Sequence, residues 1–164
     1  MKIAVVVGNP KPKSRTLTAG TKVADGLGAT ETVVIDVVEL GAGLLGWGDA
    51  TVKEAQESVM SSDVIVAACP TYKASYTGLL KIFLDLFPSN GLAGVVGVPV
   101  MLGAGPAHYL APELLLKPVL VELGATCPTK GLYVMDSQYE DDSAYKEWLD
   151  VATPQVAASI AGLA

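Results

Sequence analysis

Short apolar runs rich in β-branched residues alternate along the chain with segments of helical spacing. Ile3-Ala4-Val5-Val6-Val7, ended by Gly8-Asn9-Pro10, reads as a strand buried on both faces. Ser14 or Thr16 is placed to cap a helix running to about Leu27, where Gly26 and Gly28 mark its end. Thr32 to Val38 is a second β-branched segment, and the glycine-rich stretch from Gly41 to Gly48 after it is expected to be a mobile connection. Thr51-Val52-Lys53-Glu54 has the spacing of a capping box and predicts a helix to about Ser62. A third buried run, Val64 to Ala68, ends at Cys69-Pro70, and Leu79 to Leu86 resumes helical spacing until Pro88 stops it. A fourth strand lies within Val95 to Leu102; because proline cannot donate to a ladder, its paired part is expected to begin near Pro99. Leu110 to Leu123 predicts a helix entered near Pro112 and perturbed at Pro118, and Gly131 to Met135 a fifth strand. Ser143 to Ile160 predicts a closing helix that Pro154 should kink or split.

Strands alternating with helices over short connections predict an α/β fold, a parallel sheet with helices on both faces. Five strands in 164 residues suit the flavodoxin-like order 2-1-3-4-5. In that order the ligand crevice lies at the carboxyl ends of strands one and three, where the winding reverses. The length suits one domain over residues 1–164. Apolar residues make up 51% and charged residues 17%, which excludes a disordered chain and makes self-association through an apolar surface an expectation.

Eleven basic against seventeen acidic residues give a net charge of −6, which argues against nucleic acid or an anionic membrane as partner. Any anion site must therefore be local. Cys69 and Cys127 follow no ligand or disulfide spacing, so neither a metal site nor a disulfide framework is expected. The apolar run after Met1-Lys2 is too short for a signal-peptide core, which makes the cytoplasm the expected location. Leu86 to Pro112 carries no charged residue, but Pro88, Pro99, Pro106 and five glycines break it as a membrane span.

Lys11, Lys13 and Arg15 place three of the eleven basic residues within five positions, interleaved with Ser14 and Thr16 and just before a helix. Helix N-terminal N–H groups, hydroxyls and a nearby cation together suit a phosphate. No G-x-x-x-x-G-K-[ST] or GxGxxG pattern follows strand one, so an ATP-binding loop has no support. Pro70-Thr71-Tyr72-Lys73-Ala74-Ser75-Tyr76-Thr77-Gly78 crosses the same crevice. Its backbone can meet the edge of a flat heteroaromatic ring while Tyr72 covers a face. Gly103-Ala104-Gly105 after strand four offers close backbone approach from a third side. A phosphate at one end and a planar ring at the other point to a mononucleotide, with FMN the natural fit. His108, the only histidine, is a candidate contact to flavin or nicotinamide and carries no assigned acid or base role.

The segments Gly8 to Thr16, Pro70 to Lys81, Ala107-His108 with Leu116 to Leu120, and Asp136-Ser137-Gln138 resemble the NAD(P)H-dependent FMN reductase family. The likeness is closer to the flavin reductases that supply reduced FMN to two-component sulfonate monooxygenases. The resemblance implies a flavodoxin-like fold, FMN, and NADPH or NADH as hydride donor, the hydride passing to flavin N5. It also implies a homodimer or homotetramer and a flavin-dependent monooxygenase as a partner. It places the FMN phosphate on Asn9, Lys11, Ser14, Arg15 and Thr16. It places the isoalloxazine on Pro70, Thr71, Tyr72, Lys73 and Ser75, with Gly103, Ala104 and Gly105 as the third loop. Asn9 stands where Ser is usual in that family and Lys11 where Arg is usual, so a forked phosphate clamp becomes a point charge. Two other readings use the same residues: a quinone or azo-compound reductase that retains FMN, and a flavodoxin-like electron carrier without nicotinamide activity.

Overall fold

The computed structural model describes residues 1–163. Its five strands, β1 (Lys2–Val7), β2 (Glu31–Asp36), β3 (Val64–Pro70), β4 (Val96–Gly103) and β5 (Leu132–Met135), form one parallel sheet in the order β2-β1-β3-β4-β5. This is the α/β fold and strand order expected from the alternation of apolar runs. The helices are α1 (Arg15–Gly26), α2 (Ala50–Met60), α3 (Gly78–Asp85), α4 (Lys117–Glu122) and α5 (Ser143–Leu163).

Each strand carries apolar residues on both faces because each face has its own helical layer. Ala4, Val6, Ile65, Ala67, Cys69, Met101 and Tyr133 pack with residues of α2, α3 and α4. The alternate positions, Ile3, Val5, Val7, Val64, Val66, Ala68, Val98, Val100 and Leu102, pack with α1 and α5. Val7 is level with Ala68, and Gly8 N–H continues the ladder onto the Ala68 carbonyl at 2.8 Å. The chain leaves the sheet at adjacent points after β1 and β3.

Several local expectations are corrected. Strand β4 pairs from Val96, not from Pro99. Val96 N–H bonds toward β3, to Asp63, and Gly97 N–H bonds toward the other side, to Thr126. Alternation therefore turns the donor-less position of Pro99 toward β5, and β5 pairing begins only at Val100–Leu132. The missing N–H falls in a gap of the ladder. Helix α2 is capped by Asp49, whose carboxylate accepts from Thr51 and Val52 N–H at 3.0 Å; Thr51 lies inside the helix. The connection expected to be mobile is built of 3-10 turns over Val37–Leu45, broken at Gly41 (φ 56°, ψ −137°) and pinned by buried Leu44.

A wide π-type turn over Pro112–Leu116 precedes α4. Pro118 cannot donate to the Leu114 carbonyl, and the turn before it opens. Pro154 does not split α5, which runs unbroken through it with Pro154 on its exposed side. Among the described residues no helix is long and apolar enough to cross a membrane.

Gly8 has no room for a side chain, because a Cβ there would overlap Leu80 at the start of α3. Gly8→Ala is expected to destabilise the fold by about 1–3 kcal/mol, read as a lowered urea midpoint with unchanged slope.

Candidate functional site

The loop between β1 and α1 is closed by its own side chains. Asn9 Nδ2 donates to Thr16 Oγ1 at 2.9 Å, and Asn9 Oδ1 accepts from Lys11 N–H at 2.9 Å. Lys13 takes a left-handed conformation, φ 51°, which turns its N–H onto Asp36 Oδ2 at 3.1 Å. Ser14 is the helix cap, accepting from Leu17 N–H at 3.3 Å. The N–H groups of Arg15 and Thr16 precede the first intrahelical bond, Thr18 N–H to the Ser14 carbonyl, and are open to an anion.

Lys11, Lys13 and Arg15 are exposed, and among the described residues none is in an ion pair. Arg15 lies over the Tyr139 ring, 5.5 Å from its centroid. Asn9 and Thr16, both buried, bind each other first, so their part is to shape the loop as much as to touch a ligand. Asp36 sits beneath this cationic loop at the end of β2, 7% exposed, with Oδ1 unpartnered. Burial pushes its carboxyl up from the ordinary value; the Lys13 N–H opposes this and Glu39 adds to it.

After β3, Thr71 N–H donates to the Leu102 carbonyl at 2.6 Å, tying the second loop to β4. Tyr72 and Ser75 exchange two backbone hydrogen bonds, at 2.9 and 3.1 Å. Between them Lys73 (φ 51°) and Ala74 (φ 67°) both occupy the left-handed region, a tight two-residue turn of the kind usually made by glycine or asparagine. Tyr72 is half-exposed, and Tyr76 packs against the core. Thr77, buried, donates from Oγ1 to the Gly8 carbonyl at 2.6 Å and accepts from Leu80 N–H at 3.1 Å. One hydroxyl thus caps α3 and joins the two loops.

The third loop follows β4. Gly103 is glycine because a Cβ there would overlap the Tyr133 hydroxyl, whereas Gly105 faces open space. Ala104 is exposed. His108 is exposed on the turn Pro106–His108, and with Ala74, Tyr109, Leu114 and Leu115 it lines an apolar cleft of about 420 Å³. Cys69 and Cys127 are free thiols, pushed up by burial to about 12 and about 11.

The candidate residues therefore lie on three loops that leave the sheet at the carboxyl ends of β1, β3 and β4, the first two joined by Thr77 and the second tied to β4 by Thr71. The arrangement suits FMN on two counts. Open helix-end N–H groups sit beside unpaired cations, and the Thr71 hydroxyl, in the loop expected to meet the ring, is buried without a partner. Sequence reasoning missed Asp36, Thr77 and Tyr133. Thr77 was visible as a Thr directly before an apolar helical run; Asp36 and Tyr133 showed only as polar groups within apolar strands.

The family model described as NADPH-dependent FMN reductase matches residues 1–140. Two curated relatives, both named FMN reductase (NADPH), come from Pseudomonas putida and Escherichia coli and are 40% and 42% identical over 87 and 85 residues. The matched stretches take in 53% and 52% of this chain, but only 44% of each relative. A solved structure described as an NADH:FMN oxidoreductase in its apo form is 29% identical with a TM-score of 0.84, covering 99% of this chain and 90% of that one.

The raised Asp36 carboxyl means that its stabilising contribution is complete below the ordinary value of 3.8 and is lost as pH rises through the higher folded-state value. Asp36→Asn keeps an oxygen for Lys13 N–H without the charge. It is expected to melt above the wild type near neutral pH, with the difference closing as the solution is taken below about pH 4. Melting curves across that range check it; a variant less stable at neutral pH would refute the sign.

Proposed function

The chain belongs to the NADPH-dependent FMN reductase family, and from that premise we propose that it is an NAD(P)H:FMN oxidoreductase whose flavin site is the crevice at β1, β3 and β4. When bound, FMN supplies the hydride-accepting chemistry. The chain's own residues bind, orient and exclude water. Ser14, Arg15 and Thr16 hold the phosphate with helix-end N–H groups and hydroxyls, and Lys11 and Arg15 balance its charge. Asn9 fixes the loop that presents them. Pro70, Thr71, Lys73 and Ser75 meet the ring edge and Tyr72 covers a face, with Gly103, Ala104 and Gly105 opposite. His108 borders the cleft as a contact to flavin or nicotinamide. The observation that carries this reading is the joint between the two ligand loops, where Thr77 Oγ1 bonds the Gly8 carbonyl.

Both NADPH and NADH stand as donors, because a relative named for the first and a solved structure named for the second are both similar to this chain. The whole chain, 1–164, is proposed as one FMN-binding domain. A homodimer or homotetramer is proposed from the exposed Tyr109, Leu110, Leu114 and Leu115. The cytoplasm, where reduced nicotinamides are held, is the proposed location. A flavin-dependent monooxygenase is proposed as a consumer of reduced FMN on the resemblance of the Pro70-Thr71-Tyr72-Lys73 stretch.

Flavin-stripped protein, given NADPH or NADH aerobically with and without FMN, is expected to oxidise the nucleotide only with FMN and to saturate with it. FMN binding without oxidation would replace this reading by the electron carrier. FMN kept bound throughout turnover would favour the retained-flavin reductase. Arg15→Ala is expected to weaken FMN about tenfold, a loss of about 1.4 kcal/mol, and to leave riboflavin binding unchanged. Equal loss for the two flavins, measured by fluorescence titration, would remove Arg15 from the phosphate.

A further inference from the structure

Between the loop after β3 and the loop after β4 stands a side chain that belongs to neither. Tyr133 lies on β5, level with Met101 of β4, and is almost wholly buried. Its hydroxyl donates to the Gly105 carbonyl at 2.8 Å. The same oxygen occupies the space that a Cβ on Gly103 would need. Its ring meets Tyr109 edge to face, with centroids 4.8 Å apart at 65°, so both ends of the third loop rest on it. Beside the same phenol, Thr71 is held to β4 by its N–H bond to the Leu102 carbonyl, and its hydroxyl is buried without a hydrogen bond of good geometry.

We propose that Tyr133 is a positioning residue for the ring-binding end of the site, setting the separation of Thr71 from Gly105 and with it the seat of the isoalloxazine. The inference rests on the FMN reading above.

Packing alone does not account for a tyrosine here. A phenylalanine would fill the same volume against Tyr109, and only the hydroxyl reaches a backbone carbonyl of the third loop. Glycine at 103 makes the same point from the other side, because the strand gives up a side chain at a buried position so that this oxygen can be there. Burial pushes the phenol up from its ordinary value, opposed by the Thr71 hydroxyl and reinforced by Asp136 and Tyr109. The group therefore stays a donor to Gly105 throughout the neutral range.

Tyr133→Phe keeps the ring and removes the hydroxyl, and riboflavin and FMN separate the ring end of the site from the phosphate end. The variant is expected to bind riboflavin and FMN more weakly by one common factor, about three- to tenfold. Its melting temperature should stay within about 3 °C of the wild type, and its KM for FMN should rise by that same factor. Unchanged binding of both flavins, or a loss confined to FMN, would overturn the positioning role. A wild type that binds neither flavin would instead overturn the FMN reading, and this inference with it.

Discussion

The buried hydroxyl of Thr77 is the point at which the sheet, a helix and the loops after β1 and β3 meet. It donates to the Gly8 carbonyl, where the chain leaves β1, and accepts from Leu80 N–H, where α3 begins. A net hydrogen bond is worth about 1 kcal/mol, but removing this hydroxyl leaves a buried carbonyl and a buried N–H unsatisfied, at about 1–3 kcal/mol each. Gly8 must be glycine because Leu80 lies against it, and Leu80 lies there because Thr77 fixes the first turn of α3. Loop spacing in the crevice is thus set by packing in the core, and a ligand does not have to order it.

Electrostatics at the proposed phosphate end depend on the same closeness. A chain of net charge −6 repels anions at long range, and that repulsion fades within about 10 Å in ordinary salt. Attraction has to come from groups at contact distance: Lys11, Lys13, Arg15 and the open N–H groups of α1. Asp36 works against them in charge but for them in geometry, since its carboxylate holds Lys13 in the left-handed turn that aims the loop. The cost shows in its raised pKa. Shape has been kept at the expense of field, a compromise that a loop with three cations can sustain.

The fold was legible because each apolar run is either too short or too β-branched to be a helix, and α1, α3 and α4 are followed by Gly or Pro stop signals. What was not legible depended on neighbours. Pro99 reads as a strand breaker until the register of β5 shows that its missing N–H has no partner to disappoint. Asp49 takes the cap of α2 from Thr51, since two competent caps two residues apart differ only in where the preceding turn delivers them. In the crevice, the residues expected to touch ligand could be read from residue type and position. Thr77, Asp36 and Tyr133, which hold those residues in place, act through contacts 23 to 69 residues away in the chain, and local pattern does not encode them.

The turn at Lys73 and Ala74 shows why support of this kind matters. Two successive non-glycine residues in the left-handed region cost about 1–2 kcal/mol each, and a glycine pair would relieve that cost. Glycines would also loosen the unfolded and the unbound loop alike. The strain persists because the turn is clamped on both sides, by the Tyr72–Ser75 backbone pair and, beyond it, by Thr71 on Leu102 and Thr77 on Gly8. A clamped, side-chain-bearing turn has few alternative conformations to lose on binding the proposed flavin ring. Strain in the free protein and a lower ordering cost on binding are then two aspects of one design.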